Sequence, residues 1–174
     1  RVQFPQEPSQ DDIILAIQET QLAYQKKSIA ELVNLPLMSD PIQLAILRIL
    51  LSIATAAYMA FPKLHTLLIC KQMTLSIQYG NAPASTYGYA CYGLILCAIV
   101  GEIEIGYQFG QLALDLLHRL NAKELKCRIE VLVYAFIKHW KEAFSQQLIP
   151  LRSLYVIGLE TGDFQFAAYA ALTY

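Results

Sequence analysis

Gly101-Glu-Ile-Glu-Ile-Gly106-Tyr-Gln-Phe-Gly110-Gln-Leu-Ala113-Leu-Asp-Leu116 is the stretch whose reading sets the fold. A glycine turn and an acidic residue open it, and small residues follow at helical offsets: Gly106, Gly110 and Ala113. Residues three and four apart share one helix face. These three therefore offer a face without bulk, on which a second helix can approach closely. That is how the second helix of a helical-hairpin repeat nests against its partner.

The chain around this stretch is periodic. Pro41, Asn81, Asn121 and Thr161 each open a unit, 40 residues apart. The mid-turn recurs within each unit at Phe61-Pro62, Gly101-Glu102 and Lys141-Glu142. Apolar columns recur too, as in Ile69/Phe109/Ile149 and Ile77/Leu117/Ile157. Period-2 alternation of β-branched residues is absent, and short turns make neighbouring helices antiparallel. The expected fold is all-α: an α-solenoid of antiparallel hairpins, similar to tetratricopeptide repeats but longer than their unit of about 34 residues.

Residues 1–8, with Pro5 and Pro8, read as a linker, and 9–40 as an atypical N-terminal helical cap. Repeats follow at 41–80, 81–120, 121–160 and, in part, 161–174. Ser9, Asp11 and Asp12 cap a first helix running to about Lys27, and Ile29 to Asn34 forms a short one. Ser39-Asp40-Pro41 starts a helix that reaches Ala60, because a cap precedes proline at the first helical position. Pro62 to Tyr79 follows, stopped by Gly80. Further helices are expected at about 84–100, 102–120, 124–140, 144–160 and 163–174. Pro150 should kink or restart the helix that holds it.

Composition narrows the function classes. With 13 basic and 14 acidic residues mixed along the chain, no electrostatic footprint for nucleic acid or anionic membrane exists. Cys70, Cys91, Cys97 and Cys127 show no metal-ligand spacing and read as buried free thiols in a reducing, cytoplasmic setting. Ile42 to Phe61 holds a single charge, Arg48, so hydropathy alone would admit a membrane helix. An arginine in mid-helix costs only about 2.5–3.5 kcal/mol on insertion scales. The periodicity argues against a span, since the aligned helix of the third unit carries Arg128, Glu130, Lys138 and His139. Membrane association through this stretch stays as the least favoured reading. A secretory signal pattern is absent. The start at Arg1 without methionine and the end in mid-helix read as a segment of a longer protein.

Chemical motifs are sparse. Gly106 and Gly110 match a membrane-dimerisation spacing, but packing of one repeat helix on another explains them, with Glu102, Glu104 and Gln108 on a solvated face. Tyr87, Tyr89 and Tyr92 with Gly88 and Gly93 read as core, and alternatively as a small-molecule sensor whose apolar pocket lies between helices. His118 and Arg119 suit a helix C-terminus. Metalloprotease, hydrolase, P-loop and dinucleotide signatures are absent. The segment is read as non-enzymatic, with no catalytic, cofactor or metal residue assigned.

A stacked register places one helix of each hairpin on a concave face. Arg48, Leu51, Thr55 and Tyr58 would lie on it in the first unit, Cys91, Ile95 and Ile99 in the second, and Arg128, Ala135, Lys138 and His139 in the third. Apolar walls with a basic rim suit an acidic-hydrophobic helix or peptide. Packing on a neighbouring domain of the same chain would use the same face, and a second copy of the chain is a further candidate partner.

Seven stretches together resemble a known segment. They are Leu35-Pro-Leu-Met-Ser-Asp-Pro41, Ser76-Ile-Gln-Tyr-Gly-Asn-Ala-Pro83, Tyr89-Ala-Cys-Tyr-Gly-Leu-Ile-Leu96, Gly106-Tyr-Gln-Phe-Gly-Gln-Leu-Ala-Leu114, Leu120-Asn-Ala-Lys-Glu-Leu125, His139-Trp-Lys-Glu142 and Gly158-Leu-Glu-Thr-Gly-Asp163. The chain is similar to the helical-repeat region of large cyanobacterial multi-sensor signal-transduction kinases. In that family a serine/threonine-kinase-like domain and an AAA-type ATPase precede the repeats, and GAF or PAS sensors and a histidine kinase follow. The resemblance implies a non-catalytic regulatory scaffold, and no kinase or ATPase residue of the family maps onto these positions. Gly110 departs from the general tetratricopeptide pattern, as do Gln146, Pro150 and Ser153 in the third unit.

Overall fold

The computed structural model describes residues 2–173, and the protein is all-α. Among the described residues no strand forms; a single backbone bridge joins Leu37 to Asn81. The chain divides into two compact units, one ending at Gly88 and the other beginning at Tyr89.

Local chemistry sets the helix starts in the first unit. Helix α1 (Gln10–Tyr24) opens on a capping box, in which Ser9 Oγ accepts from the Asp12 amide and Asp12 accepts from the Ser9 amide. It ends before the expected Lys27. Ile29–Asn34 winds as a 3-10 helix, and its Leu32 is fully buried. Asp40 Oδ1 accepts from the amides of Ile42 and Gln43 and so starts α2 (Pro41–Ala60). Helix α3 (Pro62–Tyr79) follows at once, with proline at its first position.

Helix α3 packs on both α1 and α2. Leu47, Leu50 and Ala57 of α2 meet Leu68 and Leu75 of α3 in a core closed by Met38, Ala82 and Ala84. The turn after α3 ties this core to the preceding segment. Gly80 sits at φ 102°, and a Cβ there would collide with the Pro36 carbonyl. The Asn81 amide donates to that carbonyl at 2.8 Å, and Asn81 Nδ2 donates to the Leu32 carbonyl at 2.8 Å. Only glycine combines this dihedral with this approach.

Helix α4 (Ser85–Ile95) crosses the division and continues as a π-helical turn, Leu96–Val100. Gly101 ends it in the left-handed region, at φ 86°. Helix α5 (Ile103–Leu120) then packs so closely that a Cβ on Gly93 would lie 2.6 Å from the Gly106 carbonyl oxygen. Tyr92 meets Phe109 edge-on at 5.1 Å, and Tyr89 stacks on the same ring at 6.3 Å.

Helix α6 (Lys126–Phe136) is shorter than the expected 124–140, with 3-10 turns at Lys123–Leu125 and Lys138–Trp140 on either side. A third 3-10 turn, Phe144–Gln146, precedes α7 (Leu148–Thr161). Pro150 falls in the first turn of α7, where its missing N–H leaves no hydrogen bond broken. Gly162 ends α7 at φ 78°, and α8 is Phe164–Thr173. Helix α6 packs on α5, α7 and α8.

Candidate interaction face

The residues assigned to a concave face divide by environment. On α2, Arg48 and Tyr58 are exposed, while Leu51 and Thr55 are half-buried. Their spacing of three, four and three residues puts them in one stripe. Leu51 packs against the core of the first unit, and the Tyr58 ring meets His65 edge-on at 5.4 Å.

Cys91, Ile95 and Ala135 are buried and line no open face. Ile99, on the π-helical turn, is exposed. Arg128 is held by Asp163, with its Nε 3.0 Å and its Nη2 3.3 Å from the two carboxylate oxygens, and its guanidinium lies over the Phe166 ring. Lys138 pairs with Glu142 at 3.4 Å and lies over Tyr134. His139 is exposed beside Trp140. The basic residues expected to rim a groove are therefore partly committed to structure: Arg128 joins α6 to Asp163, at the start of α8, and Lys138 fixes the segment after α6.

That segment carries a polar network that the sequence reading missed. Tyr107 donates to Glu142 at 2.5 Å, Gln111 donates to Tyr107 at 2.8 Å, and Gln147 donates to the second Glu142 oxygen at 2.8 Å. Lys141 reaches Glu104 at 2.7 Å and covers the Tyr107 ring. Burial alone would raise the Glu142 carboxyl, but Tyr107, Gln147 and Lys138 outweigh it and hold the group below its ordinary range. No local motif announces this cluster. Its signal is the charged and amide density of Lys138–Gln147 after an apolar helix.

The thiols are buried. Burial pushes Cys70 and Cys127 up to about 11, so neither is a thiolate at neutral pH. Tyr87, Tyr89 and Tyr92 are core side chains. An open groove of about 380 Å³ lies elsewhere, between Val2–Pro5, α1 and α3. Among the described residues no three of His, Cys, Asp and Glu gather as a metal site would require. Helix α2 alone among them is long and apolar enough to cross a membrane, and 22% of its most apolar window is buried.

An all-helical chain of this kind defines an architecture before an activity. No family model matches it, and no solved structure does. It is similar to the hybrid signal transduction histidine kinase G of Dictyostelium discoideum, at 25% identity over 130 residues. That alignment covers 72% of this chain and 4% of the curated relative. The similarity is thus to a short stretch of a signal-transduction kinase.

Proposed function

We propose that this chain is a non-catalytic helical-repeat scaffold that couples neighbouring domains within a multidomain signal-transduction kinase. The observation that carries the reading is the similarity to a stretch of such a kinase. The alternation of helices supports it. First helices open at Pro41, Ser85, Lys126 and Phe164, and second helices at Pro62, Ile103 and Leu148. This is the order expected of tetratricopeptide-like hairpins in an α-solenoid. Such a stack changes curvature by small rotations between hairpins, and a domain docked on it can bias those rotations. The cyanobacterial kinase architecture, with an ATPase before and sensors after the repeats, supplies the domains to be coupled. The expected setting is cytoplasmic.

The test is co-purification of the chain with the flanking ATPase and sensor segments, alongside the phosphorylation output of the full-length protein. One flanking segment should be retained, and Arg48→Glu with Tyr58→Ala should change the output. Absence of binding together with unchanged output would sink the coupling role.

A further inference from the structure

Helix α2 exposes the side that its counterparts bury. Ile42, Ala45, Ile49, Ser52 and Ile53 are all exposed. Forty residues on, the same positions are Ala82, Ser85, Tyr89, Tyr92 and Gly93, and each is buried. Eighty residues on they are Ala122, Leu125, Ile129, Leu132 and Val133, again all buried. The cover on α6 is helical, supplied by α5, α7 and α8. Helix α2 packs Leu47, Leu50, Ala54 and Ala57 inward and leaves its other side bare.

The bare side has the form of a helix-pairing seam. Ile42, Ala45, Ile49, Ser52, Ala56 and Met59 follow one another at steps of three and four, the spacing of a coiled-coil stripe. Ile42, Ile49 and Met59 are 67%, 59% and 70% exposed, with Ile53, Tyr58 and Phe61 open beside them. Together they present several hundred Å² of apolar surface, approaching the roughly 800 Å² per partner of a standard interface.

The chemistry of the stripe selects its occupant. Helix α2 carries one charge, Arg48, which is exposed, and no acid. A partner recognised by charge would find little to match there, whereas an equally uncharged helix fits. The stripe is also symmetric about the point between Leu50 and Leu51. Turned end to end, a second α2 sets Ile49 against Ser52, Ala45 against Ala56 and Ile42 against Met59. The bulky Ile49 thus meets a small residue twice, once on each side of the axis.

We propose that two copies of this chain pair through α2, antiparallel about a two-fold axis between Leu50 and Leu51. The pairing goes beyond the coupling role and does not rest on it. Sedimentation equilibrium of the full chain without detergent should show a dimer at micromolar concentration. Ile49→Glu with Ile53→Glu should raise the dissociation constant by roughly a hundredfold or more while helical circular dichroism stays unchanged. Ile49→Cys chains mixed with Ser52→Cys chains should form the mixed disulfide in preference to either homodimer, and this arm decides alone if the glutamate variant loses helix. A monomer throughout would overturn the proposal, as would a dimer indifferent to the glutamates or a predominance of homodimeric disulfides. A monomer that pellets with phosphatidylcholine vesicles would replace the second copy with a membrane.

Discussion

Between α2 and α3 the spacing is set by side chains; between α4 and α5 it is set by backbone. Leu47 and Leu50 keep the first pair apart, packed with Leu68 and Leu75 of α3. In the second pair, Gly93 of α4 lies directly against Gly106 of α5. The two pairs also meet through different faces, since Ile53, forty residues before Gly93, is exposed. The units also differ in charge: Lys126–Glu130, Arg128–Asp163, Lys138–Glu142 and Lys141–Glu104 all lie in the second. A seam filled by side chains is sensitive to lost volume, and one closed by backbone is sensitive to added volume.

Leu50→Ala tests the first half of that contrast and should have the largest effect. Leu50 is 3% exposed, and its removal should cost about 2–5 kcal/mol, read by urea unfolding. A cost below about 1 kcal/mol would mean the surroundings collapse into the space, and the contrast would fail.

Acid should separate the units next. Burial lowers His65 from 6.5 to about 4, so the folded state holds it neutral. Its contribution is complete above about pH 6.5 and is lost as pH falls toward about 4, by about 3 kcal/mol at most. Glu142 behaves differently: its carboxyl is held below the ordinary 4.5, so the support it gives is present above that value and lost only at lower pH. Unfolding followed between pH 7 and 4 should show the first unit weakening earlier. His65→Leu should flatten the wild-type decline over that interval; an unchanged slope would assign it to other groups.

Gly106→Ala probes the backbone contact. In an open helix this change gains about 1 kcal/mol. Here the new methyl would meet the Gly93 carbonyl oxygen at 2.6 Å, alongside Cys97 Sγ, and backbone cannot rotate away. A net loss of about 1–3 kcal/mol is expected in thermal melts. A gain would show that α4 and α5 can separate freely.

Much of the helical layout was legible because its signals are local. Asp40-Pro41, Pro62, Gly80, Gly101 and Gly162 act within a residue or two of the boundaries they set. The end of α6 at Phe136 was not, since Glu142 and Tyr107 are 35 residues apart and fix the following segment only once folded. The pairing of Arg128 was hidden for the same reason: Asp163 lies 35 residues away. Cys91, Ile95 and Ala135 are small or apolar, in keeping with their burial. The bare side of α2 was visible as hydropathy. The finding that the equivalent helices are buried there needed coordinates.

The smallest effects should come from one buried polar group in each unit, and they carry the opposite sign. Gln72 is fully buried, and neither end of its amide has a hydrogen-bond partner among the described residues. Glu130 is 7% exposed, and burial raises its carboxyl despite Lys126, whose ammonium stands 3.8 Å away. A raised carboxyl favours the folded state while protonated and weighs against it once ionised. Gln72→Met removes an unpaired amide at similar volume, and Glu130→Gln removes a poorly compensated charge. Each should stabilise the protein by about 1 kcal/mol at pH 7. The Glu130→Gln gain should vanish as pH falls below the ordinary carboxyl range, whereas the Gln72→Met gain should not change with pH. If both gains were insensitive to pH, the Glu130 effect would lie in packing, and the second unit would hold its charges without the strain that burial implies.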